Sequence, residues 1–175
     1  MSEPDSVLEW VKVFRYGEHA EDLPSHYPQC LGCGPLNIHG FHLQARRQDD
    51  TVVARHTFDH RHVGAPGIAH GGAVATVVDE LFGYVLYLVG TTAVTRHFQV
   101  DYLAPVLLGT PYRMTARLDR REGRKLWMQA EAYDQHRNTV LTGRALFIAV
   151  GLDHFVRAAE GGDVRRDDVP PPIAP

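Results

Sequence analysis

The feature that most constrains this chain is a helix-length stretch, apolar over more than half its circumference, followed by four segments of period two. From Gly72 to about Val89, at about 100° per residue, nine apolar residues from Val74 to Val89 cover one broad arc. Thr76, Asp79, Glu80, Gly83, Tyr84 and Tyr87 fall together on the other side. A helix this apolar is buried, with one special face. Beyond it, Val94, Arg96, Phe98, Val100 and Tyr102 alternate with Thr95, His97, Gln99 and Asp101. The same alternation runs through 112–119 and 126–133, and 139–150 makes a last strand. Glu122-Gly123 and Arg137-Asn138 stand where hairpin turns belong.

Ahead of the helix, 41–47 and 51–59 read as two strands around Asp49-Asp50, and 60–69 reads as a loop. The order is two strands, one long helix and four strands. An α+β fold accounts for it, with the helix wrapped by an antiparallel sheet. Such a sheet leaves an edge open, and pairing of two copies is the usual remedy, so a homodimer or a dimer of dimers is expected. The chain divides into an N-terminal helix and loop region (1–40, with a short helix near 7–14), the main domain (41–151) and a flexible C-terminal tail (152–175). The tail is rich in Gly, Asp, Arg and Pro.

With 175 residues there is enough chain for one real core. A formal net charge of −3 lacks the basic footprint of a nucleic-acid binder. The sequence shows no apolar run of spanning length and no signal-peptide pattern, so no membrane partner and a cytoplasmic location are expected. Two cysteines, Cys30 and Cys33, do not make a disulfide scaffold. Their spacing is half of a zinc site, with His26, His39 and His42 nearby.

The stretch Gly67-Ile68-Ala69-His70-Gly71-Gly72, leading to Asp79 and Glu80, concentrates the chemistry. Two glycines allow close backbone approach at a helix start whose first N–H groups have no intrahelical partner. Donors placed there stabilise the negative oxygen that develops on a carbonyl under attack. Asp79, about two turns past Gly72, is placed to activate water or to attack a carbonyl carbon itself. Glu80 is its rival, more central in the polar arc.

His-Gly-Gly with an Asp nine positions after the His resembles the signature of hotdog-fold thioesterases of the PaaI and THEM-type group. Thr-Arg-His-Phe-Gln-Val-Asp-Tyr-Leu-Ala-Pro at 95–105 resembles that group's strand after the helix, and Glu122-Gly123-Arg124-Lys125 its next hairpin. The resemblance implies a hotdog fold and hydrolysis of an acyl-CoA thioester to free acid and CoA, with no metal and no cofactor. It assigns Gly71 as backbone oxyanion donor, Asp79 as base or nucleophile, and Thr95 as the residue positioning the water or the carboxylate. His70 caps the loop or orients the thioester, and the site is assembled across a dimer. Gly72 and Glu80 fall on the substrate side, with Glu80 alternatively a contact between subunits. Arg124 and Lys125 are the candidates for gripping the CoA phosphates, and the acyl chain is expected to run beside Phe82, Tyr84 and Tyr87. One departure stands out: relatives often carry an Asn six residues before the motif His, where this chain has Gly64. The Cys30–Pro35 loop also resembles the lead-in of bacterial members, and is read as structural. Two other readings stay open: a non-catalytic acyl-CoA binding or sensing module, and a hotdog dehydratase built on His70 and Asp79.

Overall fold

The computed structural model describes residues 3–161. In chain order the elements are α1 (Glu3–Gly17), β1 (Asp22–Leu23), β2 (Ala45–Gln48), β3 (Thr51–Thr57), a 3-10 turn (His60–His62), β4 (Val63–Ala65) and β5 (Ile68–Ala69). There follow α2 (Gly71–Val89), β6 (Ala93–Tyr102), β7 (Pro111–Glu122), β8 (Lys125–Tyr133), β9 (Thr139–Ala149) and α3 (Leu152–Ala159). The main sheet has seven strands in the order β1-β2-β3-β7-β8-β9-β6, and every neighbouring pair is antiparallel. β4 and β5 form a separate small ribbon.

The sheet wraps α2, as the change of period requires. Val74, Val77, Val78, Leu81, Phe82 and Val85 are fully buried against Val52, Met114, Ala116, Leu126, Met128 and Ala130. By length and composition alone α2 would cross a bilayer; its enclosure by the sheet makes it a core helix. Gly143 permits the close approach of β9, because a Cβ there would lie 3.0 Å from Val78 Cγ1 and 3.4 Å from Phe82 Cζ. Gly90 ends the helix in the left-handed region (φ 62°), its N–H reaching the carbonyls of Leu86 and Tyr87.

Several boundaries differ from the sequence expectation. Residues 41–44 are not strand: His42 has a positive φ of 51°, and Phe41 and Leu43 donate their N–H groups to Leu31 and Gly32 instead of to the sheet. From the N-terminal helix and loop region, Phe14, Leu23 and Cys33 join the same core as α2. The stretch 152–175, expected as flexible tail, begins with helix α3, because Phe155 finds a partner in Trp10 of α1 (ring centroids 4.7 Å apart). The rest of that expectation, from 162 onward, lies outside the described residues.

Candidate active site

Helix α2 begins where the backbone turns out of β5. His70 is its N-cap, in extended conformation, and His70 Nδ1 accepts from the Gly72 N–H at 2.9 Å. That bond occupies one of the first-turn donors. The Gly71 N–H, at the first helical position, has no carbonyl four residues back within the helix. Gly71 is exposed, and its own carbonyl accepts from the Tyr102 hydroxyl at 2.5 Å. Tyr102 thus pins the helix start to the end of β6, a role that no sequence motif announced.

The turn that supports His70 is built from the preceding loop. The His70 N–H donates to the His62 carbonyl at 2.7 Å. The His62 ring is buried against Phe41 (centroids 4.6 Å), and its Nδ1 accepts from the Asp59 N–H at 3.1 Å. Gly64 lies so close to this turn that a Cβ would come within 2.6 Å of the His70 Cα. The departure at Gly64 is therefore steric: the backbone here has no room for a polarising side chain.

Two turns on, Asp79 is half-buried, and its Oδ1 accepts from Thr95 Oγ1 at 3.1 Å. Burial raises the Asp79 pKa, the Thr95 bond opposes that rise, and the neighbouring Glu80 charge adds to it. Thr95 comes from β6, whose far side is unpaired among the described residues. At about 1.5 Å per residue, Gly71 and Asp79 of one chain are about 12 Å apart along the helix axis. One carbonyl group cannot meet both: its carbon must touch the base or nucleophile while its oxygen lies about 3 Å from the donor.

Glu80, one residue further round the helix, faces elsewhere. Its Oε1 lies 2.6 Å from His26 Nδ1 and its Oε2 3.3 Å from Cys30 Sγ. Cys33 Sγ is 3.5 Å from His26 Nδ1 and accepts from the His26 N–H at 3.1 Å. Burial opposes the charge on both His26 and Glu80, yet their partners win: hydrogen bonds with Cys30 and then Glu80 raise the His26 pKa to about 9, and His26 leads in lowering that of Glu80. The hydrogen bond with Cys33 leads in pushing Cys30 down to about 5, and the same bond pushes Cys33 well up. Of the three histidines flanking the cysteines, His26 turns inward, whereas His42 Nε2 meets the Asn37 carbonyl at 2.9 Å and His39 is exposed. Pairing a loop histidine with a helix glutamate 54 positions away is a tertiary event with no local signature.

Tyr84 and Tyr87 present almost no surface to solvent. Each is 1% exposed: the Tyr84 hydroxyl donates to the Leu43 carbonyl at 3.0 Å, and Tyr87 packs on Phe14 and stacks on His26. α1 and the loop after it cover Tyr87, so the acyl path expected along both tyrosines is not open past it. A cleft of about 920 Å³ lies between Leu23, His42, Arg46 and Val53, with Tyr84 at its wall. Asp79, Thr95, His70 and Gly71 are not among its walls.

At the β7–β8 hairpin, Gly123 has φ 57°. Arg120 sits over the Trp127 ring (4.7 Å) and pairs with Glu122 (2.9 Å). Arg124 Nε donates to the Ala149 carbonyl at 2.9 Å. Register runs Leu126–Phe147–Thr95 across β8, β9 and β6. The Arg124-Lys125 corner therefore stands at the Thr95 end of the sheet, two strand spacings or about 10 Å from β6.

A seven-stranded antiparallel sheet around one long helix, entered through His-Gly-Gly, defines a hotdog domain. Residues 66–141 match the family model described as thioesterase superfamily. Rat acyl-coenzyme A thioesterase THEM4 is 33% identical over 91 residues, which is 51% of this chain and 39% of the rat protein. The chain thus spans about two fifths of the length of that relative. The Escherichia coli PaaI protein, from the phenylacetic acid degradation operon, has the same fold (TM-score 0.58, 21% identity, covering 62% of this chain and 83% of PaaI). So does a thioesterase protein from Streptococcus pneumoniae solved with coenzyme A (TM-score 0.59, 20% identity, 62% and 89% covered).

Proposed function

We propose that this chain hydrolyses an acyl-CoA thioester to the free acid and CoA, with Asp79 as general base or nucleophile. The observation that carries the reading is the Thr95–Asp79 hydrogen bond: a half-buried carboxylate, held by an edge-strand hydroxyl, two turns past a glycine-opened helix start. The carboxylate takes a proton from water attacking the thioester carbon, or attacks that carbon itself. A Gly71 N–H stabilises the resulting oxyanion. Collapse breaks the C–S bond, and CoA leaves as its thiol with a proton that comes from the attacking water or from solvent; where Asp79 itself attacked, water then cleaves the acyl-aspartyl anhydride to give the free acid and restore the carboxylate. Because Gly71 and Asp79 of one chain are too far apart to share a carbonyl, the Gly71 comes from a second copy paired along β6.

Two features of the streptococcal relative support this reading. It was solved with coenzyme A. It was also solved as two variants in which an Asp and a Thr, sixteen positions apart, were each changed to Ala. Asp79 and Thr95 are sixteen positions apart in this chain. The test is a panel of aliphatic and aromatic acyl-CoA thioesters, followed by thiol release. Turnover of at least one class above the spontaneous rate is expected. Tight binding without thiol release would instead establish an acyl-CoA binding module.

A further inference from the structure

Four side chains outside the catalytic reading converge on one point. His26 Nδ1, Cys30 Sγ, Cys33 Sγ and a Glu80 carboxylate oxygen all lie within 4.8 Å of one another. Cys33 is buried, and the His26 and Glu80 side chains are 15% and 12% exposed. We infer that these four groups form a tetrahedral site for a divalent transition metal of the zinc class, fastening the 26–33 loop to helix α2 beside Asp79.

The donor set suits such an ion: two sulfurs, one imidazole nitrogen and one carboxylate oxygen are all zinc ligands. Bond lengths of about 2.0–2.3 Å place neighbouring ligand atoms of a tetrahedron about 3.3–3.8 Å apart. The Cys30–Glu80 and Cys33–His26 separations are 3.3 and 3.5 Å. Of these three contacts, the 2.6 Å His26–Glu80 one has to open to admit the ion.

The loop is shaped to this point. A Cβ on Gly32 would come within 2.3 Å of Glu80 Oε2, and a Cβ on Gly34 within 2.4 Å of the Cys30 nitrogen. Both glycines let the backbone fold tightly around the cluster. The His26 N–H directed at Cys33 Sγ, 3.1 Å away, is the kind of outer bond that steadies a thiolate ligand. Four protein ligands fill a tetrahedral sphere and leave no position for substrate, so the site is structural. It takes Glu80 out of the chemistry and leaves Asp79 as the carboxylate for the thioester. Metal binding stands on its own measurements and does not depend on the hydrolysis reading.

The experiment uses the full chain, purified without chelator or immobilised-metal columns, and elemental analysis. About one zinc per chain is expected, as for a single closed site. Metal-stripped, reduced protein titrated with cobalt should develop thiolate-to-cobalt charge transfer and the visible bands of tetrahedral cobalt. Cys30→Ser and Cys33→Ser should each weaken binding, measured by chelator competition, by at least about 100-fold. His26→Ala and Glu80→Gln should weaken it by about 10-fold or more and change the cobalt bands. The proposal is overturned if the reduced wild-type chain takes up neither metal at micromolar concentration. A mass two hydrogens low in metal-free protein, marking a Cys30–Cys33 disulfide that stays closed under mild reductant, overturns it as well. Undiminished binding by both His26→Ala and Glu80→Gln would eliminate the four-donor set. The wild-type measurements decide even where a variant fails to fold.

Discussion

Thr95 Oγ1 donates to Asp79 Oδ1 at 3.1 Å, joining the edge strand β6 to the buried helix. Asp79→Asn keeps the shape and the Thr95 contact but removes base and nucleophile together. Acyl-CoA turnover should fall by about 10² to 10⁴ in kcat, the range for losing a positioned general base, with KM little changed. Glu80→Gln should keep kcat within about tenfold, since Glu80 faces the His26 cluster. Steady-state kinetics on the two variants, each checked by circular dichroism, decide the assignment; a fully active Asp79→Asn sinks it.

The Thr95 bond holds down a carboxyl pKa that burial pushes up. Activity that needs the Asp79 carboxylate is lost as pH falls through that raised pKa. The acid limb of kcat/KM should therefore lie above the ordinary carboxylate range. Thr95→Ala removes the restraint, so the limb should move to higher pH while the plateau drops by about tenfold or more. A limb that stays in place would show that Asp79 is not the titrating group.

Helix α2 and the four strands after it were legible because each has a strong period: of the nine apolar residues on the expected face of α2, seven are buried in the core and Leu88 and Val89 pack against it partly buried. The Asp79–Thr95 pairing was legible only through the family resemblance, since a 16-residue separation across two elements leaves no periodic trace. What escaped is tertiary. Tyr84 and Tyr87 look like a polar face on the wheel, but both are buried. The 41–44 stretch looks like strand by composition, yet its N–H groups go to the cysteine loop. Glu80 carries no local sign that its partner is His26.

His56 offers a stability test away from the site. It is buried, packed edge-on to Phe58 (4.6 Å), and its pKa is lowered to about 4, first by burial and then by His62. A histidine held neutral in the folded state contributes stability above its unfolded pKa, near 6.5. That contribution is lost as pH falls from there towards 4. Denaturant unfolding of wild type should lose on the order of 1–3 kcal/mol over this interval relative to His56→Phe. Parallel pH dependences for the two proteins would refute the assignment.

Edge strand β6 and the Gly71–Asp79 separation together predict a composite site. Ten residues of β6 have no partner strand on one side among the described residues, and an open edge of that length is a template for a second copy. Sedimentation at micromolar concentration should give a dimer or tetramer. The sharper test uses two inactive chains. Asp79→Asn lacks the carboxylate, and Gly71→Leu blocks the helix start without touching Asp79. Co-expressed in equal amounts, half of the dimers carry one chain of each kind. In a composite arrangement each such dimer has one intact site, with Asp79 from the Gly71→Leu chain and Gly71 from the Asp79→Asn chain. Activity should return to about a quarter of wild type per chain. A site contained within one chain would give no recovery, because neither chain holds both groups.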